Sequence, residues 1–314
     1  MTNTAYSGYA AQLMEQIALA LGHQEDAARF ARFYANIKQA FNETFVNEEG
    51  LTVIPAEMAA YRDPMMAFAA PTMQVEERKD AQGNVIVDTQ TSYVLPLQFG
   101  LFNEANKPKA VEHLREAIRR SNYTLTTGFV GTPYICLVLS DNGHPEDAYR
   151  LFTQTDYPSW LFPVKQGATT FWERWNSYTV KNGFGPVSMN SFNHYAYGAI
   201  EEWMMSHCLG IQRDERQPGY KHFFLQPEVG APLDFAKGGF ETMYGRIESS
   251  WEKQGKKVIY RMTVPANTTA TIQLTSPGKV TISQGATGVH SEHREGQKQI
   301  YEVVAGSYEF TCVE

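Results

Sequence analysis

From Tyr6 to about Ala20 the apolar residues Tyr9, Leu13, Ile17, Leu19 and Leu21 recur near helical spacing, and Gly22 closes the run. A second helix is predicted from Gln24-Glu25-Asp26, where acidic side chains suit a first turn. It carries Ala28, Phe30, Phe33, Ile37, Ala40, Phe41 and Phe45 on a recurring face and stops at Asn47–Gly50. Together these make a helical hairpin. Residues 51–89 hold Pro55, Pro64, Pro71 and the turn-rich stretch Lys79–Asn84, which predicts a long loop with at most short elements. Helical spacing returns over Ser92–Phe102, Lys107–Arg120, Tyr134–Leu139 and Pro145–Gln154, the last following the stop signal Asp141-Asn-Gly143.

The pattern changes after Gly210. Ile211–Gly219 reads as a polar link. Beyond it, Phe223–Leu225, Arg246–Trp251, Lys257–Val264, Thr269–Leu274 and Ile300–Val304 alternate in the manner of strands, with Pro265, Pro277-Gly278, Gly285, Gly288 and Gly306 between the later ones. The chain is therefore expected to be mainly α with a β domain: paired helices over 1–212, then an antiparallel β-sandwich over 213–314.

Composition narrows the classes. The 314 residues are 43% hydrophobic, which excludes a disordered chain. Lys plus Arg number 27 against 34 Asp plus Glu, and the charges are dispersed, so nucleic acid and anionic membrane are not expected partners. No window approaches the roughly 18 apolar residues of a membrane span, and the start Met1–Gln16 lacks a leader pattern, which places the expected location in the cytoplasm. Cys136, Cys208 and Cys312 are odd in number and far apart, and His290 and His293 have no third ligand nearby. No cofactor or metal is expected.

The densest chemistry lies in Trp160–Trp175, which holds three of the five tryptophans around Glu173. Aromatic faces stack on the C–H faces of sugars, and an apolar surround raises a carboxyl pKa towards general acid–base range. The same composition also fits a buried aromatic cluster in which Glu173 satisfies a neighbouring donor. Asn193 and His194 fall at the expected start of a helix, where they either present hydrogen bonds to a polyhydroxy ligand or, in the case of Asn193, serve as a cap. The small-residue loop Thr127–Thr132, with Phe129 at its centre, would let backbone approach a ligand.

Read together, Gly167-Ala-Thr-Thr-Phe-Trp-Glu-Arg-Trp175, Thr127-Gly-Phe-Val-Gly-Thr132, Asn193-His-Tyr-Ala-Tyr-Gly198 and Gln90–Leu101 resemble bacterial α-L-rhamnosidases of glycoside hydrolase family seventy-eight. Pro218-Gly-Tyr-Lys221, Pro227 and Tyr244-Gly245 follow in the order of that family's C-terminal β domain, so the resemblance covers nearly the whole chain. It implies a partial (α/α)6 barrel and inverting hydrolysis of terminal α-L-rhamnosyl groups. Glu173 matches the general base, and His194 matches a substrate-contacting histidine. Trp172, Trp175, Phe129 and Asn193 would shape or line the sugar pocket.

The resemblance also implies parts that are not here. Members carry further barrel helices and a general-acid segment, Gln-Arg-Asp-Glu-Arg followed by Leu-Gly-Trp, ahead of the stretch resembling residues 1–50. Such a barrel has twelve helices, whereas about seven are legible. Gln212-Arg-Asp-Glu-Arg216 repeats the acid segment's letters ahead of the β domain, where Glu215 is either an acid or part of a polar linker. With a base but no assured acid, little activity is expected of the chain alone. Completion by a second copy or by a separate N-terminal half would cover the open barrel. A non-catalytic carbohydrate-binding module and another (α/α)6 sugar hydrolase are the alternatives.

Overall fold

A computed structural model describes residues 1–59 and 78–313. Pro64 and Pro71, read as punctuating the long loop, lie outside the described residues. The chain divides into two compact units, Met1–Asn142 with Gln154–Tyr197, and Gly143–Thr153 with Gly198–Glu314.

The first unit opens with α1 (Thr2–Ala20) packed on α2 (Gln24–Phe45). Gly22, at φ +79°, makes the left-handed turn between them. The hairpin matches the expected pair, but α1 faces the other way. Ala5, Gly8, Ala11 and Ala18 are its buried residues, while Leu13, Met14, Ile17 and Leu21 stand exposed, Leu21 at 67%. A close approach explains this choice, because a Cβ on Gly8 would lie 2.9 Å from a Leu101 methyl.

A short ribbon pairs β1 (Val53–Ile54) with β2 (Val85–Ile86), and α3 (Ala56–Ala59) follows β1. Next, α4 (Gln90–Gln98) starts at a Thr89–Ser92 capping box and is almost wholly buried. It packs on α1, α5 (Lys107–Arg120) and α6 (Ile135–Asp141). Expected to run to Phe102, it ends at Gln98, with Gly100 at φ +66° turning the chain. The side chain of Gln90 ties this helix to the segment before Thr127, donating to Ser121 Oγ and the Thr124 carbonyl and accepting from Thr126 N at 2.9 Å.

In the second unit α7 (Pro145–Phe152) joins the β domain. Its Tyr149 ring meets Trp203 edge-on at 5.0 Å, and its hydroxyl donates to the Glu228 carbonyl. Gly230 is required beside that ring, since a Cβ there would sit 2.1 Å from Tyr149. In the first unit α8 (Leu161–Lys165) and a ribbon of β3 (Tyr178–Thr179) with β4 (Gly183–Phe184) follow, and α9 (Ile200–Trp203) belongs to the second.

Eight strands form one hydrogen-bonded sheet: β5 (Ile211–Arg213), β6 (His222–Leu225), β7 (Phe235–Thr242), β8 (Gly245–Gln254), β9 (Lys257–Thr275), β10 (Val280–Gln284), β11 (Val289–Glu295) and β12 (Lys298–Val313). The main order is β10-β12-β9-β6-β5, with β8 also on β9, β7 on β8 and β11 on β12. All pairings are antiparallel except β6 with β9, which is parallel. Pro265 was expected to separate two strands, yet β9 runs through it. Val264 pairs with Gly306 and Thr269 with Val304, so the residues between leave the ladder and the strand continues past a residue with no N–H to give. Trp251, Ile272, Leu274, Tyr301 and Phe310 from several strands share one core.

The polar link also contains structure, because Ile211–Arg213 is strand β5. Behind it lies a buried polar chain. Asp214 accepts from the Arg216 backbone and guanidinium and meets His222 Nδ1 at 3.0 Å, and His222 Nε2 lies 3.1 Å from Thr271 Oγ1. The Arg216 hydrogen bonds, then His222, hold the Asp214 carboxyl below its ordinary value of 3.8. A depressed carboxylate stabilises the fold above its unfolded pKa, and that stability is lost as pH falls through the folded value. Thermal melts of the wild type and Asp214→Asn are therefore expected to differ most near about pH 6 and to converge as pH falls to about 2. A gap that does not change with pH would contradict this.

Candidate active site

No helix or strand carries Glu173. After α8, Gly167 at φ +86° turns the chain into an irregular stretch that is laced to residues 190–194. Glu173 N donates to the Ser191 carbonyl at 2.9 Å, and Ser191 N donates back to Glu173 Oε2 at 2.7 Å. His194 N donates to the Phe171 carbonyl at 2.9 Å, and Thr170 Oγ1 donates to the Phe192 carbonyl. Ser177 anchors the return of the chain, accepting on its carbonyl from Gly185 N and Asn190 Nδ2. Glu173 is thus half-buried, with one oxygen fixed by a backbone donor. Among the described residues Oε1 receives no hydrogen bond, so a carboxylate held this way can accept a proton from a water molecule.

The tryptophans next to it in sequence belong to an aromatic cluster. Trp172 is buried, edge-on to Phe192 at 5.3 Å and to Tyr178 at 6.4 Å. Trp175 stacks flat on Tyr197, centroids 3.8 Å apart and planes within 3°, and its Nε1–H donates to the Thr127 carbonyl at 2.9 Å. Trp160 meets Trp175 edge-on and donates from Nε1 to the Tyr197 carbonyl at 3.0 Å. Burial, with a smaller contribution from Tyr157, pushes the Tyr197 phenol up to about 12. Trp160, Phe171, Trp172, Trp175 and Tyr197, with Thr169 and Thr170, line a cavity of about 180 Å³. The indole N–H groups of Trp160 and Trp175 are both spent on carbonyls.

Phe129 lies on the loop held by Trp175 and by a Thr127–Thr132 hydroxyl contact of 2.7 Å. Its ring is half exposed and rests on His194 at 5.0 Å. The expected helix start at Asn193 and His194 is corrected: a 3₁₀ turn begins at Ala196, and His194 Nδ1 accepts from Ala196 N. Asn193 caps nothing with its side chain. It is exposed, and its backbone is bound to Ser191 Oγ.

Glu173, His194, Trp172, Trp175, Phe129 and Asn193 all fall in the first unit, whereas Glu215 belongs to the second. Glu215 is 76% exposed and paired with Arg213 at 2.6 Å, in keeping with a solvated polar segment. Ser191 and Tyr197 escaped the sequence reading as partners of Glu173 and Trp175. They stand within the conspicuous Ser188–Gly198 stretch, but nothing in its spacing says which residue pairs with which. Among the described residues no group of three or more His, Cys, Asp or Glu could hold a metal ion. No helix there is long and apolar enough to cross a membrane.

Comparison with known proteins agrees across both units. The family model described as the bacterial alpha-L-rhamnosidase 6 hairpin glycosidase domain matches residues 1–208, and that of the bacterial alpha-L-rhamnosidase C-terminal domain matches 210–288. An alpha-L-rhamnosidase of Formosa agariphila is 34% identical over 316 residues, covering 99% of this chain and 30% of that protein. The structure of Streptomyces avermitilis alpha-L-rhamnosidase complexed with L-rhamnose superposes with a TM-score of 0.79 at 32% identity, covering 98% of this chain and 26% of that one. The Aspergillus terreus enzyme does so with 0.77 at 27% identity, covering 99% and 30%. The chain thus spans less than a third of the length of these relatives.

Replacing Trp175 by Phe removes the donor that holds the Thr127 carbonyl and part of the stack on Tyr197. The expected cost is about 1 kcal/mol, the worth of one partly buried hydrogen bond, read from urea unfolding. An unchanged midpoint would show that this bond does not hold the loop.

Proposed function

The chain belongs to the bacterial α-L-rhamnosidases, and from that premise we propose that it is the base-bearing part of an enzyme that hydrolyses terminal α-L-rhamnosyl groups with inversion. The observation that carries this reading is Glu173, fixed by Ser191 and adjoining in sequence Trp172, which lines an aromatic cavity of about 180 Å³; Glu173 itself is not among the lining residues. In this reading Oε1 takes the proton of a water attacking the anomeric carbon. Trp172 and Trp175 offer ring faces to the sugar, and Asn193 and His194 offer hydrogen bonds. The catalytic part is proposed over 1–212 and the β appendage over 213–314, a boundary that falls inside strand β5, which pairs with β6 of the sheet.

Inversion needs a second, protonated carboxyl on the leaving oxygen, about 6.5–9.5 Å from the base. Glu215, exposed and ion-paired, is a poor choice for it. The proposed acid therefore comes from further helices that complete the barrel, whether part of a longer protein, of a separate chain or of a second copy. The exposed stripe Leu13, Met14 and Ile17 on α1 and Leu21 just after it, with Phe33 on α2, is the apolar face that such helices would cover. Three buried cysteines that form no disulfide among the described residues suit a reducing compartment such as the cytoplasm.

Loss of acid assistance typically costs about 10²–10⁴-fold in rate. An aryl α-L-rhamnoside assay of the chain by itself is therefore expected to give only slow release, slower still in Glu173→Gln, while calorimetry with L-rhamnose gives measurable heat for both. Fast turnover that survives Glu173→Gln would contradict the role of Glu173. Binding with no Glu173-dependent turnover at all would favour a sugar-binding module.

A further inference from the structure

The protonation pattern of His194 is set by its surroundings. Its Nδ1 accepts from the backbone N–H of Ala196 at 3.3 Å. A backbone amide can only donate, so Nδ1 carries a lone pair and the ring proton of the neutral imidazole sits on Nε2. The main chain of the same residue is fixed by the bond from His194 N to the Phe171 carbonyl.

The ring faces are also occupied. Phe129 lies 5.0 Å away and 10° from parallel, and Tyr195 lies 5.1 Å away and 15° from parallel. Phe129 in turn leans on Tyr197 at 5.6 Å, Tyr197 stacks on Trp175, and Trp175 grips the carbonyl of Thr127, two residues before Phe129. The loop that bears Phe129 is therefore fastened to the aromatic rings that line the cavity. An imidazole without such neighbours turns in a broad well about its second side-chain torsion and exchanges the places of its two nitrogens.

We infer that Phe129 and Tyr195 are positioning residues that hold His194 in its Nε2–H form, so that the imidazole presents one N–H donor to an acceptor oxygen of the sugar. This inference rests on the sugar-binding reading of the site and moves Phe129 from a pocket-lining role to one exercised through His194. A sugar hydroxyl satisfies a donor or an acceptor equally well, whereas a ring or glycosidic oxygen only accepts. A fixed Nε2–H therefore selects orientations of the sugar that a ring free to flip would not.

The test is a long-range proton–nitrogen correlation spectrum of chain labelled in its histidines, with His194→Gln assigning the signal. The wild type is expected to show the Nε2–H pattern at His194. Phe129→Leu, and independently Phe129→Ala, are expected to average the two ring nitrogens there and leave the other histidines unmoved. Phe129→Tyr, which keeps the ring, is expected to restore the wild-type pattern. L-Rhamnose is expected to shift Nε2 in the wild type and to bind about fivefold to tenfold more weakly to Phe129→Leu, as for the loss of one hydrogen bond. An Nδ1–H pattern in the wild type, or Phe129 variants with an unchanged His194 signal, would overturn the inference. The expected tautomer with Nε2 unmoved by L-rhamnose would leave the positioning in place and overturn the sugar reading on which it is built.

Discussion

Glu173 and Ser191 bind each other twice, once through main chain and once through the carboxylate, across eighteen residues of chain. Neither segment has a helix or strand of its own at that point, so the geometry of the site depends on this exchange. The neutral amide–carbonyl bond contributes about 1 kcal/mol, and a bond to an ionised carboxylate about 1.5–3 kcal/mol. Once Glu173 is tied to Ser191, His194 follows within reach of the Phe171 carbonyl, and Tyr197 reaches the face of Trp175. The same carboxylate thus builds the site and, in the proposed function, also acts as its base. That double duty is why Gln, which keeps an acceptor for Ser191 N, separates the chemical role from the structural one better than Ala.

A second constraint is the choice of face on α1. Its alanines and Gly8 allow the helix to press close to its neighbours, and the large apolar residues are left on the outside. For a helix of this length such an arrangement is uneconomical unless another surface covers the outer stripe. The matched family has six helical hairpins, and the chain spans 26–30% of the relatives compared above. The exposed stripe and the need for a second carboxyl both point to the same remedy, more helices.

Much of this was legible in the residues. Periodicity located α1, α2, α5 and α6 within a few residues, because their apolar spacing and stop signals agree with the structure. It did not tell which face of α1 is inside, since Leu13 and Ile17 carry the stronger apolar signal and small residues carry the packing. Pro265 misled in the β domain because β9 bulges there, with residues 265–268 opposite the single residue 305 of β12, so its missing N–H is not needed in the ladder. Trp160–Trp175 announced the site by composition, yet the reciprocal bond between Glu173 and Ser191 spans eighteen residues and no local pattern encodes it.

Amide hydrogen exchange at Ser191 and His194 reads the lacing directly. The account predicts protection at both amides of at least about tenfold over an open loop, with Glu173→Ala releasing Ser191 first and Trp251 in the β domain left unchanged. Exchange of both amides at the rate of an unstructured chain in the wild type would contradict it.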